Sequence, residues 1–136
     1  MKVENTQVQM RKGILEFCIL EIIARGEVYA SDMLEELTQA RMIVVEGTLY
    51  PLLTRLKNAA LLDYTWKESS SGPPRKYYTL TPVGQEFLHE LRLTWEEIED
   101  SIQIIRSKPH GAAPPAPGPD DLVPPAPPFA AGDASI

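Results

Sequence analysis

A mainly α fold with one small β-hairpin and a long C-terminal helix is what this 136-residue sequence predicts. Three observations carry that reading. Apolar residues recur at helical spacing in four stretches. Two short segments alternate apolar or aromatic with polar residues on either side of a Ser/Gly/Pro run. The last helical stretch keeps its apolar positions at steps of three and four for longer than a small core element needs.

Met10 to Ala24 holds Ile14, Leu15, Phe17, Cys18, Ile19, Leu20, Ile22 and Ile23 and is apolar on nearly every side, so a central core helix is expected, ended by Gly26. The polar residues before it, 1–9, are expected to be flexible. Asp32 followed by Glu35 resembles a capping arrangement for a second, shorter helix, with Met33, Leu34 and Leu37 on its apolar face and an end near Ala40. In a third helix Leu49, Leu52, Leu53 and Leu56 form one stripe, which leaves Gly47, Pro51, Thr54 and Asn58 opposite and Tyr50, Arg55 and Lys57 on the flanks. Pro51 has no amide proton, so that helix begins only about one turn upstream.

Leu62, Tyr64 and Trp66 alternate with polar neighbours, as do Tyr78 and Leu80 after the intervening run, which predicts a hairpin with Arg75 and Lys76 at its tip. Thr81-Pro82 then supplies an N-cap and a first-turn proline for a fourth helix reaching about Ser107, before Pro109. On it Leu88, Leu91, Trp95, Ile98, Ile102 and Ile105 make an a/d seam with acidic residues outside, a seam that calls for a second copy of the chain. Three helices, a two-stranded wing and a terminal helix is the winged helix-turn-helix order, in which the third helix enters the DNA major groove. The expected organisation is a flexible segment over 1–9, the winged helix-turn-helix domain over 10–81, a dimerisation helix over 82–107 and a disordered Pro/Ala-rich tail over 108–136.

Charge bears on function. The net charge is −6, which at first sight opposes binding to phosphate. The distribution is uneven, however. Residues 46–76 carry Arg55, Lys57, Lys67, Arg75 and Lys76 against Glu46, Asp63 and Glu68, whereas residues 86–100 carry six acids against Arg92 alone. The segment 109–136 holds nine of the 13 prolines and no Lys or Arg, a composition that does not bury a core. The polar N-terminus lacks a signal-peptide layout and no apolar run is long enough to span a bilayer, so a cytoplasmic location and no membrane partner are expected. The single cysteine, Cys18, sits in an apolar run and reads as a structural thiol, with redox sensing as the alternative. Neither His89 nor His110 has partners at metal-ligand spacing, and there is no nucleophile motif or Gly-rich phosphate loop, so no enzyme activity, metal or cofactor is expected.

Gly47-Thr48-Leu49-Tyr50-Pro51-Leu52-Leu53, then Arg55-Leu56 and Leu61-Leu62, and later Arg75-Lys76-Tyr77-Tyr78-Thr79-Leu80-Thr81 with Gly84, resemble the signature of the PadR-like family of transcription regulators. The resemblance covers about residues 10–107 and is closest to the branch with a short C-terminal helix. It implies a homodimeric repressor of double-stranded DNA that is released by a small aromatic effector or another signal. Carried over onto this sequence, it implies DNA contacts at Thr48, Tyr50, Arg75 and Lys76. The helix-face reading adds Pro51, Thr54, Arg55 and Lys57. Trp95 resembles a seam tryptophan that, in a multidrug-sensing branch, stacks flat ligands against its symmetry mate; filling the dimer core is the other role open to it.

This sequence departs from the family's pattern in three places: Gly72-Pro73-Pro74 replaces a further wing arginine, Ala60 stands where a glycine is usual, and Tyr29-Ala30-Ser31-Asp32 replaces a Tyr-Gly-Tyr-Glu run. The competing function is a winged-helix module that binds protein without DNA, for which the acidic total and the tail speak.

Overall fold

A computed structural model of the chain describes residues 2–111 and 118–119. Its elements run α1 (Val3–Ala24), α2 (Ala30–Gln39), α3 (Glu46–Asn58), β1 (Leu62–Ser69), β2 (Gly72–Leu80) and α4 (Pro82–Ser107). This is a mainly helical winged helix-turn-helix, as expected. Within residues 1–101 one core joins Ile19, Leu20 and Ile23 of α1, Met33 and Leu37 of α2, Leu49, Leu53 and Leu56 of α3, Leu62 and Tyr78 at the base of the hairpin, and Leu88 of α4.

Two boundaries differ from the sequence reading. Helix α1 begins at Val3, so the segment expected to be flexible over 1–9 is helical from that residue on. No proline interrupts Val3 to Gly13, and Glu4 places negative charge in the first turn, where the helix dipole favours it. Helix α2 begins at Ala30 with Tyr29 as N-cap and no side-chain cap, so Asp32 lies inside the first turn and does not cap it. The entry point is set by tertiary pairing. Val28 forms an isolated antiparallel bridge with Tyr78 of β2, and the Tyr29 ring meets Tyr77 edge-on at 5.3 Å. The tail expected over 108–136 lies, beyond Gly111, outside the described residues except for 118–119.

Helices α2 and α3 end alike. After α2, the Arg41 N–H donates to the Thr38 carbonyl and the Met42 N–H to the Leu37 carbonyl; after α3, the Ala60 N–H donates to Lys57 and the Leu61 N–H to Leu56. Both are Schellman closures, which require a left-handed residue and usually recruit glycine. Here Arg41 (φ 66°) and Ala60 (φ 63°) fill the position. The glycine that the family pattern places at Ala60 thus has a backbone reason.

The expected cap of α4 is present. Thr81 Oγ1 accepts from the Gly84 N–H at 2.9 Å and donates to the Ala60 carbonyl at 2.6 Å, while the Thr81 N–H donates to the Leu61 carbonyl at 3.1 Å. Gly84 is needed at this corner, because a Cβ there would stand 2.1 Å from the Leu61 carbonyl oxygen. Arg92 Nε and Nη2 donate to both carboxylate oxygens of Glu21, at 2.9 and 2.6 Å, tying α4 to α1.

Candidate nucleic-acid interface

The geometry of α3 follows from its stripe. Leu49, Leu53 and Leu56 are buried, Leu52 is half-buried, and Gly47, Pro51, Thr54 and Asn58 are exposed on the opposite side. That outward face bears hydroxyl and small groups and little charge, as the spacing predicts.

The hairpin differs from its predicted form. Its turn is Ser70–Ser71, and β2 already begins at Gly72, so Arg75 and Lys76 lie along the strand and not at the tip: Lys67 pairs with Arg75 and Trp66 with Lys76. Between Lys67 and Ser69 the register shifts by one residue, with the extra residue in the Pro73-Pro74 stretch of β2. A bulge on an outer strand accommodates prolines, whose missing N–H then removes no ladder bond.

Nor are the wing cations free of structural work. The Arg75 guanidinium lies 4.5 Å from the Tyr29 ring centroid, and the Lys76 ammonium 4.6 Å from Tyr64 and 5.3 Å from Trp66. Lys67 pairs with Glu27 at 2.5 Å and lies over Tyr77, and Lys57 lies 5.6 Å from the Tyr64 ring. The aromatic contacts orient Arg75, Lys76 and Lys57 without neutralising them, because an aromatic face offers a quadrupole and no net charge, whereas Lys67 is offset by the Glu27 carboxylate.

The structure sorts the sequence-predicted residues into groups. Tyr50 and Thr54 from α3 and Arg75 and Lys76 from the wing line one cleft of about 430 Å³, together with Tyr29, Ser31 and Trp66. Thr48, Pro51 and Arg55 face a second cleft, shared with Lys12 and Glu16 of α1, and there Arg55 is ion-paired to Glu16. Lys57 lines neither of these two. Burial is the main cause holding the Tyr78 phenol above its ordinary pKa, with Tyr50 and Tyr64 adding to it, so the back wall of the first cleft stays neutral.

Tyr29, Ser31 and Trp66 were missed by sequence reasoning. For Trp66 a signal existed, since the alternation Leu62, Tyr64, Trp66 puts it on the wing face that packs toward the body. Tyr29 reaches the cleft only through the Val28–Tyr78 bridge, which no local pattern announces.

On the seam, Leu88 is 2% exposed, Leu91 and Trp95 are half-buried, and Ile98, Ile102 and Ile105 are exposed, Ile105 at 71%. The Trp95 ring has an intrachain neighbour, Phe17 of α1, at 6.2 Å and 37°. Cys18, near it in sequence, is half-buried; burial first and the Glu21 charge second raise its thiol pKa, which favours the inert protonated form. Among the described residues there is no group of His, Cys, Asp or Glu arranged to hold a metal, and no helix is long and apolar enough to cross a membrane.

A helix with a neutral outward face set beside a cation-bearing wing defines a winged-helix regulator. Its family is settled by comparison: residues 19–90, more than half of the chain, match the model of the transcriptional regulator PadR-like family, and the chain belongs to that family. A PadR-like transcription factor from Bacteroides fragilis is 55% identical and superposes with a TM-score of 0.63, covering 74% of this chain and 98% of that one. A PadR-like transcriptional regulator from Bacillus cereus is 39% identical, with a TM-score of 0.69 and coverage of 74% and 99%. The fold alone is shared, at 20% identity and a TM-score of 0.54, with Bacillus subtilis PadR, solved in complex with operator DNA; that match covers 75% of this chain and 52% of PadR.

Proposed function

We propose that this protein is a homodimeric DNA-binding transcription regulator, a repressor, in which α3 enters the major groove of a pseudo-palindromic operator and the wing lies along the adjoining backbone. The observation that carries the reading is the cleft that gathers Tyr50 and Thr54 of α3 with Arg75 and Lys76 of the wing. In a winged helix the strand of backbone between the groove holding the helix and the groove next to the wing passes through that position. That the fold neighbour from Bacillus subtilis is solved with operator DNA supports DNA as the partner.

The exposed isoleucines of α4 support dimerisation. Burying Ile98, Ile102 and Ile105 against a second copy removes apolar surface from water at roughly 25 cal/mol per Å². A dimer then presents its two α3 helices about 34 Å apart, one turn of B-DNA. Trp95 is the effector residue in this scheme: a flat aromatic molecule stacks on its exposed side, and release follows because the effector binds better to a dimer geometry whose helix spacing no longer fits the operator.

The test is a gel shift at low salt with the duplex upstream of the protein's own gene, alongside sedimentation of the free protein. A retarded complex and a dimeric mass are expected. A monomer that shifts no duplex sinks the proposal and leaves a protein-binding module in its place. Quenching of tryptophan emission by flat aromatic cations is expected to disappear in Trp95→Phe and to persist in Trp66→Phe; quenching that survives Trp95→Phe removes the effector site.

A further inference from the structure

Trp66 is the one large apolar side chain of the wing that is left mostly in water, 61% exposed, although it points from the same strand face as buried Leu62 and half-buried Tyr64. The face is continuous, but here the indole opens onto the cleft between wing and body and is not packed into the core. It does not float free. It meets Tyr64 edge-on at 6.3 Å and 89°, sits directly across the ladder from Lys76, and holds that ammonium 5.3 Å from its ring centroid. Its indole N–H makes no hydrogen bond within the described residues.

We infer that Trp66 is a DNA-contact residue that, with Lys76, clamps one deoxyribose-phosphate segment of the strand passing between α3 and the wing. This rests on the DNA-binding reading above and extends it to a residue outside the signature motifs. The chemistry of the cleft selects the ligand. Lys76, the indole N–H and the hydroxyls of Thr54, Ser31 and Tyr50 offer a cation and single donors to anionic oxygen, and the indole face offers an apolar platform to a sugar. Asn and Gln, which read base edges bidentately, are absent from the lining, and its one forked donor, Arg75, is held against the Tyr29 ring on the far side of the cleft from the indole–Lys76 pair. The combination fits a phosphodiester with its sugar better than a free anion, which has no use for the ring, or a base edge, which needs paired donors and acceptors. Lys76 stacked on the indole is also held in place before DNA arrives, so less side-chain freedom is lost on binding.

The experiment uses the full chain and a 30-base-pair duplex from upstream of its own gene, with a scrambled duplex as the second probe. In a Trp95→Phe background Trp66 is the sole indole, and its emission is expected to change as either duplex saturates the protein. Trp66→Ala is expected to weaken binding to both duplexes by about tenfold, the scale of truncating an anchoring interface aromatic. Trp66→Phe keeps a ring over Lys76 but loses the N–H, and is expected to fall between parent and alanine variant. Because tryptophan is neutral, Trp66→Phe leaves the slope of log K against log salt unchanged, whereas Lys76→Ala, which removes one phosphate contact from each protomer of the dimer, reduces it by about 1.8. Trp66→Phe also serves if the alanine variant fails to fold. Parent-like affinity in both Trp66 variants, or an indole emission unmoved by saturating DNA, overturns the clamp while the DNA-binding reading stands. A parent that binds neither duplex overturns both.

Discussion

Helices α3 and α4 carry the same kind of apolar stripe and use it in opposite ways. In α3 the stripe is spent on the core: Leu49, Leu53 and Leu56 are buried, and the working surface is the polar side that this burial turns outward. In α4 the core takes only the first turns, through Gly84, Leu88 and half-buried Leu91, and from Ile98 on the stripe is exposed. Periodicity alone therefore does not say whether a stripe is core or interface. Length against the available core decides: α3 has 13 residues, all beside the packed body, and α4 has 26.

The largest effect comes from the stripe that is already used. Leu53→Ala leaves a cavity under α3 and is expected to cost about 2–5 kcal/mol, read by denaturant or thermal unfolding. The corresponding change on α4, Ile98→Ala, is expected to leave the unfolding of the monomer within about 0.5 kcal/mol, as for other exposed positions. Equal losses at the two sites would abolish the distinction between core stripe and interface stripe.

Charge on the exposed stripe is the next lever. Ile98→Glu with Ile102→Glu is expected to raise the dimer dissociation constant by more than tenfold, the effect of about 1.4 kcal/mol or more, while helical content is kept. Sedimentation velocity over a concentration series reads it. DNA affinity should fall in parallel, because one α3 alone loses the linked second half-site. A double variant that remains dimeric places the interface elsewhere.

Below that in size is the wing. Since the outward face of α3 is nearly uncharged and Arg55 is engaged by Glu16, the salt dependence of binding should come mostly from β2. Arg75→Ala with Lys76→Ala, two cations lost from each protomer of the dimer, is expected to reduce the slope of log K against log salt by about 3.6 for all sequences alike. An unchanged slope in a titration from low to moderate salt would remove the wing from the phosphate contacts.

Much of this was legible in the sequence because the determinants are local. The four helices, the hairpin, the Thr81 cap and the split faces of α3 each follow from residues within a few positions of one another. What escaped depends on distant pairing. The start of α2 is set by the Val28–Tyr78 bridge, which leaves the Asp32 capping pattern unused. The wing cations were expected at the tip because Gly72-Pro73-Pro74 looks like turn; the ladder absorbs it with a bulge, and Arg75 then finds Tyr29 from the other end of the domain. Of the candidate DNA contacts, the four that converge came from α3 and β2 together, a convergence that spacing along either element does not reveal.

The smallest effect concerns the corner that joins the two helices. Ala60 closes α3 in a left-handed conformation at φ 63°, exposed to solvent, with Leu61 and Leu56 buried behind it and its carbonyl accepting from Thr81 Oγ1. A Cβ in that region costs roughly 1–2 kcal/mol, and glycine avoids the cost while losing more backbone freedom on folding, about 0.5–1 kcal/mol relative to alanine. Ala60→Gly is therefore expected to stabilise the protein by about 0.5–1 kcal/mol, seen as a higher midpoint in thermal or denaturant unfolding with the denaturant m-value unchanged. DNA affinity and dimerisation should stay as in the parent, since the side chain lost faces neither the cleft nor the seam. A destabilised Ala60→Gly variant would mean that the left-handed strain is smaller than the entropy it spares. The corner would then be held by the Schellman and Thr81 hydrogen bonds, with the residue type at its apex of little consequence.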